Sequence, residues 1–225
     1  MKTKKIALVI ALLAVSLVIS TCGGGGGNGV TGGHTHSWNT ETGLCSGCSE
    51  LYYSLGDTGP GGGKIFYRSE TGFTMTDNGL LCHYLEAASS DQGTYAEWGG
   101  YGTTITGITN ILSTSDAEAS RIGNGRKNTQ LIVTYLAGTS ETGRAAQLCK
   151  SYTGGGCTDW FLPSLGELKQ LYNNSSSVGN MTPNVYYWSS SQYDSNGAWP
   201  QSFFSGYQDF IAKFNTIYVR AIRAF

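Results

Sequence analysis

The chain has 225 residues, with 14 Lys and Arg against 15 Asp and Glu and a formal net charge of −1. That balance excludes an electrostatic nucleic-acid binder, which needs a basic face or tail, and a hydrophobic fraction of 40% excludes wholesale disorder. Only 13% of residues are charged while 33 are glycine, against a usual charged share of about 25%, which points to a β- and loop-rich exported protein rather than a helical one.

Residues 1–22 read as an address. Lys2, Lys4 and Lys5 precede an apolar run from Ile6 to Ile19, broken only by Ser16. The run is shorter than the ~20 residues that span a bilayer and has the proportions of a signal-peptide core. Cys22 follows Ile19-Ser20-Thr21 and resembles the lipidated cysteine of a bacterial lipobox, although Thr21 stands where Gly, Ala or Ser is usual. The resemblance implies a diacylglycerol on Cys22 and a bacterial envelope protein, lipid-anchored in the outer membrane and exposed at the surface. A plain secretory leader is the alternative. Residues 23–33 (GGGGGNGVTGG) are a glycine-rich tether with nothing to bury.

Residues 34–50 carry His34, His36, Cys45 and Cys48. Two histidines and a C-x-x-C supply the four ligands of a tetrahedral structural zinc site, with no open position for catalysis. A local disulfide is the competing reading for an exported segment. No cofactor is required.

Residues 51–225 form the globular domain. Lys64 to Tyr67 reads as a strand after the tight turn Gly59-Pro60-Gly61-Gly62-Gly63. The Gly63-Lys64 pair is not a phosphate loop, because Thr58 and Ile65 stand where that motif needs Gly and Ser or Thr. Helical spacing predicts a helix over Asn128 to Ala137, which Ala145 to Cys149 either continues or follows with another. The second clear case runs from Pro163 to Tyr172, where Ser164 and Glu167 form a capping box ahead of the apolar face Leu165, Leu168, Leu171 and Tyr172. Tyr186 to Ser191, Trp199 to Phe204 and Tyr218 to Phe225 read as closing strands.

These segments carry a resemblance. GDTGPGGGKIFY at 56–67, HYLEAA at 83–88, GNGRKNT at 123–129, TDWFLPS at 158–164, YWSSS at 187–191 and YVRAIRAF at 218–225 resemble the bacterial Lcl C-terminal domain family, motif by motif and in order. The resemblance implies an α+β, C-type-lectin-like, loop-rich fold shared with formylglycine-generating enzymes, in which two helices flank small twisted antiparallel sheets. It also implies ligand binding by surface loops, as in glycan-binding adhesins and the variable proteins of diversity-generating retroelements.

In the variable proteins a set of codons before the last strand is diversified by mutating template adenines. Asn codons so treated cannot become Met, Trp, Lys, Glu or Gln. The positions that match are Asp194, Ser195, Asn196, Gly197, Pro200, Ser202, Phe204, Ser205, Tyr207, Asp209, Phe210, Ile211, Ala212, Phe214, Asn215 and Ile217, and none carries an excluded type. Strand alternation would place Trp199, Gln201 and Phe203 on the core side and Pro200, Ser202 and Phe204 toward water. Phe204, Tyr207, Phe210, Ile211 and Phe214 are then expected as an exposed aromatic-rich face, the chemistry of a paratope, on a scaffold held by Trp160, Trp188, Trp199 and Phe203.

No catalytic residue is expected, so the chain reads as a binder and not an enzyme. Cys82, Cys149 and Cys157 form no recognisable reactive pair, although Cys149 and Cys157 flank a loop that a disulfide can close, and His83 is a lone histidine. The calcium-binding Glu-Pro-Asn and Gln-Pro-Asp signatures of lectins are absent from the sequence. The expected partners are a macromolecular ligand, protein or glycan, at the cell surface, and the membrane through the lipid anchor. A fixed-specificity adhesin for sulfated glycans is the alternative, with Arg121, Arg126, Lys127 and Arg144 as its basic candidates. A formylglycine-generating type of enzyme comes third.

Overall fold

A computed structural model describes residues 19–21, 35–39, 41–48 and 50–225. In chain order the strands and helices are β1 (Ile19–Thr21), β2 (Thr35–Asn39), β3 (Leu44–Cys45), β4 (Lys64–Thr74), β5 (Leu81–Ala87), β6 (Gly93–Ala96), α1 (Ala117–Ser120), α2 (Gly125–Ala137), α3 (Ala145–Ser151), α4 (Leu165–Asn173), α5 (Ser175–Val178), β7 (Tyr186–Gln192), β8 (Gly197–Ser202), β9 (Ile211–Ala212), β10 (Ile217–Val219) and β11 (Ile222–Ala224). They form a mixed α/β structure with three sheets, of orders β1-β2-β3, β11-β5-β4 and β6-β10-β7-β8-β9.

Two expectations need correction. Instead of two helices there are three of about two turns or more (α2, α3, α4) and two single turns (α1, α5) among the described residues. The sheets are also not wholly antiparallel, since β10 runs parallel to β7 with Tyr218 opposite Tyr187. The final strand expected over Tyr218 to Phe225 is split between two sheets, β10 lying beside β6 and β7 and β11 beside β5.

The capping box forms as the spacing predicts. The Glu167 backbone N–H donates to Ser164 Oγ at 3.3 Å, and the Ser164 N–H donates to Glu167 Oε2 at 2.7 Å. The same carboxylate does a second task, accepting the N–H groups of Gly123 at 2.8 Å and Gly125 at 3.3 Å through Oε1. Helix α2 therefore starts at Gly125, three residues before the apolar spacing predicts, because a side chain from α4 satisfies the donors that a helix start leaves open.

The turn over Gly59 to Gly63 closes in a related way. The N–H groups of Gly61 and Gly63 donate to the buried Glu86 carboxylate at 3.1 and 2.6 Å, and Arg223 reaches Glu86 Oε2 at 3.3 Å. A Cβ on Gly61 would press on Trp160 at 2.7 Å, and one on Gly63 would run into the carbonyl of Ala87. The glycines are thus required by close approach to a carboxylate that the chain itself supplies, and no phosphate is needed to account for them.

Trp98, Trp160, Trp188 and Trp199 are all buried. Each indole N–H donates to a backbone carbonyl, of Ser189, Gly154, Ala96 and Ile111 respectively. Large apolar rings thereby fill the core without leaving a polar atom unpaired. Helix α4 packs against β7 and β8, and α2 against β7, so the strands leading into the segment 193–217 rest on a filled interior.

Candidate ligand-binding surface

The surface begins at the β7–β8 hairpin. Asp194 Oδ1 accepts the N–H groups of Asn196 and Gly197, both at 2.7 Å, which closes the turn locally. The backbone then enters β8, turns over 203–207 and returns through β9, with the pairs Gly197↔Ala212 and Ala198↔Ile211.

The sequence-predicted positions divide three ways. Asn196, Phe204, Ser205, Tyr207, Asp209, Phe210 and Phe214 are exposed, and Asp194, Ser195, Ile211, Ala212, Asn215 and Ile217 are half-buried. Gly197, Pro200 and Ser202 are buried, contrary to the expected alternation. The reason is that β8 is packed on both faces: Trp199 clusters with Leu165 of α4, and Ala198, on the parity of Pro200 and Ser202, lies in the core cluster of Trp98 and Trp188. Ser202 Oγ is also engaged, accepting the N–H groups of Phe204 and Ser205 at 3.3 Å each. These three buried residues shape the turn from beneath and present no side chain to a partner.

The aromatics expected at the surface are there. Relative exposures are 76% for Phe204, 60% for Tyr207, 54% for Phe214 and 42% for Phe210, so these rings are not core. Two are backed by other aromatics. Phe214 meets Tyr101 edge-on with centroids 4.9 Å apart, and Phe210 also approaches Trp199 edge-on at 5.9 Å. Tyr101 is itself 54% exposed and extends the aromatic face onto the 99–107 loop. Nothing in its local sequence marks it for this role.

Beneath the face lies a polar clamp that sequence reasoning also missed. Lys213 is fully buried, and its Nζ donates to the Thr103 carbonyl at 2.7 Å and to Gln192 Oε1 at 2.8 Å. Gln192 Oε1 further accepts the Ile105 N–H at 2.9 Å, and its Nε2 donates to Asn110 Oδ1 at 2.8 Å. Burial pulls the Lys213 ammonium down to about 8. One available signal was residue type: Gln192, Trp199, Gln201, Gln208 and Lys213 are the Trp, Lys and Gln residues of the segment 192–217, and all but the half-buried Gln208 are buried.

The other candidates are less concentrated. Cys22 and His34 lie outside the described residues, and of His36 only the backbone, in β2, is described. Cys45 is buried and Cys48 exposed. No group of three or more His, Cys, Asp or Glu able to hold a metal occurs among the described residues, a set that leaves out His34 and the side chain of His36. Cys82 and Cys149 are buried thiols and Cys157 is half-buried; burial raises Cys82 to about 11 and Cys149 well above its ordinary value. His83 spends Nδ1 on the Ser69 carbonyl at 2.8 Å.

The basic candidates are largely committed within the chain. Arg121 pairs with Glu118, Arg126 with Asp77, and Arg144 with Glu141 and Glu97. Lys127 is exposed. No helix among the described residues is long and apolar enough to cross a membrane.

Comparison with known proteins adds one firm statement. Among solved structures, a fimbrial protein from Bacteroides ovatus is similar at 15% identity and a TM-score of 0.49, over 72% of this chain. This chain spans 44% of that protein's length. A comparison with curated proteins found no match. The family model described as the Lcl C-terminal domain matches residues 90–223, well over half of the chain. That range holds four of the six motifs quoted above in whole or nearly so, while those at 56–67 and 83–88 precede it. By this match, the chain belongs to the Lcl C-terminal domain family.

Proposed function

We propose that this protein binds macromolecules, protein or glycan, through the aromatic face of residues 193–217, and that it catalyses nothing. In this reading the domain is C-type-lectin-like and is carried on a glycine tether from a lipidated Cys22 in the outer membrane, facing outward. A diversity-generating retroelement exchanges the exposed residues of the face while the buried ones stay fixed.

The observation that carries the proposal is the depth at which the residue types closed to adenine mutation lie. Within 192–217, Gln192, Trp199, Gln201 and Lys213 are buried and Gln208 is half-buried, and these five are of types that adenine mutation of Asn codons cannot produce. Phe204, Tyr207, Asp209, Phe210 and Phe214 are exposed and are of types it can produce. A scheme that varies only the second group leaves the clamp and the core intact. Large exposed rings backed by neighbouring rings give contact area at small entropic cost.

The glycan-adhesin alternative is weaker here, because three of its four basic candidates are already neutralised by carboxylates of the chain.

Sequencing the DNA beside the gene tests the retroelement. The expected result is a near-copy of the stretch encoding residues 186–225, next to a reverse-transcriptase gene. Differences should fall at adenines in the exposed and half-buried codons and spare those of Gln192, Trp199, Gln201 and Lys213. A neighbourhood with no such copy overturns the diversification.

A further inference from the structure

The charge on the aromatic face has one sign. Between residues 193 and 217 the acidic side chains are Asp194 and Asp209 and the basic one is Lys213. Lys213 is buried, with its ammonium turned inward to Thr103 and Gln192. The cation flanking the face, Lys169, donates to the Gly206 carbonyl at 3.2 Å and sits 5.4 Å from the Tyr172 ring centre, so it too is drawn into the structure.

Asp209 is exposed and Asp194 half-buried. In each, the bonds to nearby backbone N–H groups fall on Oδ1, and Oδ2 accepts no hydrogen bond among the described residues. An anionic ligand would meet two carboxylates, while the neighbouring cations Lys213 and Lys169 are engaged within the chain.

We infer that the face formed by Tyr101, Phe204, Tyr207, Phe210 and Phe214 with Asp194 and Asp209 takes a protein segment presenting arginine or lysine among apolar side chains. This rests on the reading of the face as the binding surface and adds the chemistry of its partner. A guanidinium or ammonium can lie over an exposed ring, where the π-face attracts it, while its N–H groups reach a carboxylate in a charge-assisted bond. Apolar neighbours of that cation would cover the remaining ring surface.

The test pans the intact, detergent-solubilised chain against a random peptide display library, with a glycan array probed in parallel. Enriched peptides should carry Arg or Lys beside an apolar residue. Their affinity should fall by at least about tenfold in an Asp194→Asn, Asp209→Asn double variant and should weaken with added salt. Asn keeps an acceptor oxygen at both turns, so the variant should melt like wild type. Neutral or acidic peptides, peptides indifferent to the double variant, or glycan binding with no peptide enrichment would each overturn the inference.

A second variant, Phe204→Ser with Tyr207→Ser and Phe214→Ser, separates this failure from failure of the parent reading. Binding that survives it places the binding surface elsewhere, whereas binding lost there but indifferent to the two aspartates sinks only the charge assignment.

Discussion

The ammonium of Lys213 lies 4.6 Å from the centre of the Trp98 ring. Trp98 also holds Lys213 through the backbone, its N–H donating to the Lys213 carbonyl at 2.9 Å. A charged group is thus packed under the aromatic face with a ring on one side and two acceptor oxygens on the other. Burial lowers its pKa to about 8 from an ordinary value of 10.5.

A pH dependence follows with a definite sign. Because the folded pKa lies below the unfolded one, the unfolded chain binds more protons between pH 8 and 10.5, and this lysine's contribution to stability rises with pH in that window. Lys213→Met removes the titration and leaves the Thr103 carbonyl without its partner, at a cost of about 1–3 kcal/mol near pH 7. The gap in Tm between wild type and the variant should widen from pH 8 to pH 10. A constant gap would show that the ammonium is not held as described.

Exchange at the face should leave the fold almost untouched. Phe204→Ser and Tyr207→Ser remove rings that are mostly in water, and each should change unfolding free energy by no more than about 0.5 kcal/mol. Trp199→Ala, five residues before Phe204, empties a buried site and orphans the Ile111 carbonyl, with an expected loss of about 3–5 kcal/mol. Urea denaturation of the three variants measures the contrast. Comparable losses in all three would mean that Phe204 and Tyr207 are part of the core.

Glu167 joins two helix starts, so its removal should act on both. Glu167→Ala exposes the N–H groups of Ser164, Gly123 and Gly125 to a dry interior, and a loss of about 2–4 kcal/mol is expected. Hydrogen exchange should quicken at the first turn of α2 as well as α4. Acceleration confined to α4 would show that the bonds to Gly123 and Gly125 carry little weight.

The glycine turn makes a further prediction. Gly63→Ala places a methyl against the Ala87 carbonyl, and backbone cannot move aside as a flexible side chain can. The variant should melt well below wild type or fail to fold. Gly62→Ala, where a Cβ meets nothing within 4 Å, should lose only the cost of its positive φ, about 1 kcal/mol. Melting curves that rank the two in the opposite order would contradict the account of the turn.

Much of this was legible in the sequence because the signals were local. A capping box needs only Ser164 and Glu167 three residues apart, and the glycines of 59–63 announce a close backbone approach without saying to what. The exposure of Phe204, Tyr207, Phe210 and Phe214 also followed from their position among framework types. The rest depended on partners far along the chain. Strand alternation failed at Pro200 and Ser202 because a strand's burial is set by what lies on each face, and β8 has α4 on one side and the Trp98 and Trp188 cluster on the other. Neither Gln192 nor Lys213 reads as core by type, and only their convergence on the loop around Thr103 and Ile105 makes their burial tolerable. Tyr101 joined the face through that same loop, which no periodicity in its own neighbourhood reveals.

Strand β10 sits between β6 and β7 in the five-stranded sheet, and the buried Arg220 that follows it pairs with Asp91 across a sequence separation of 129 residues at 2.7 Å. The five-stranded sheet therefore cannot close until β10 is in place, and such distant pairing is slow to form. Completion of the domain waits on residues 217–224, however early the helices and the β7–β8 hairpin form.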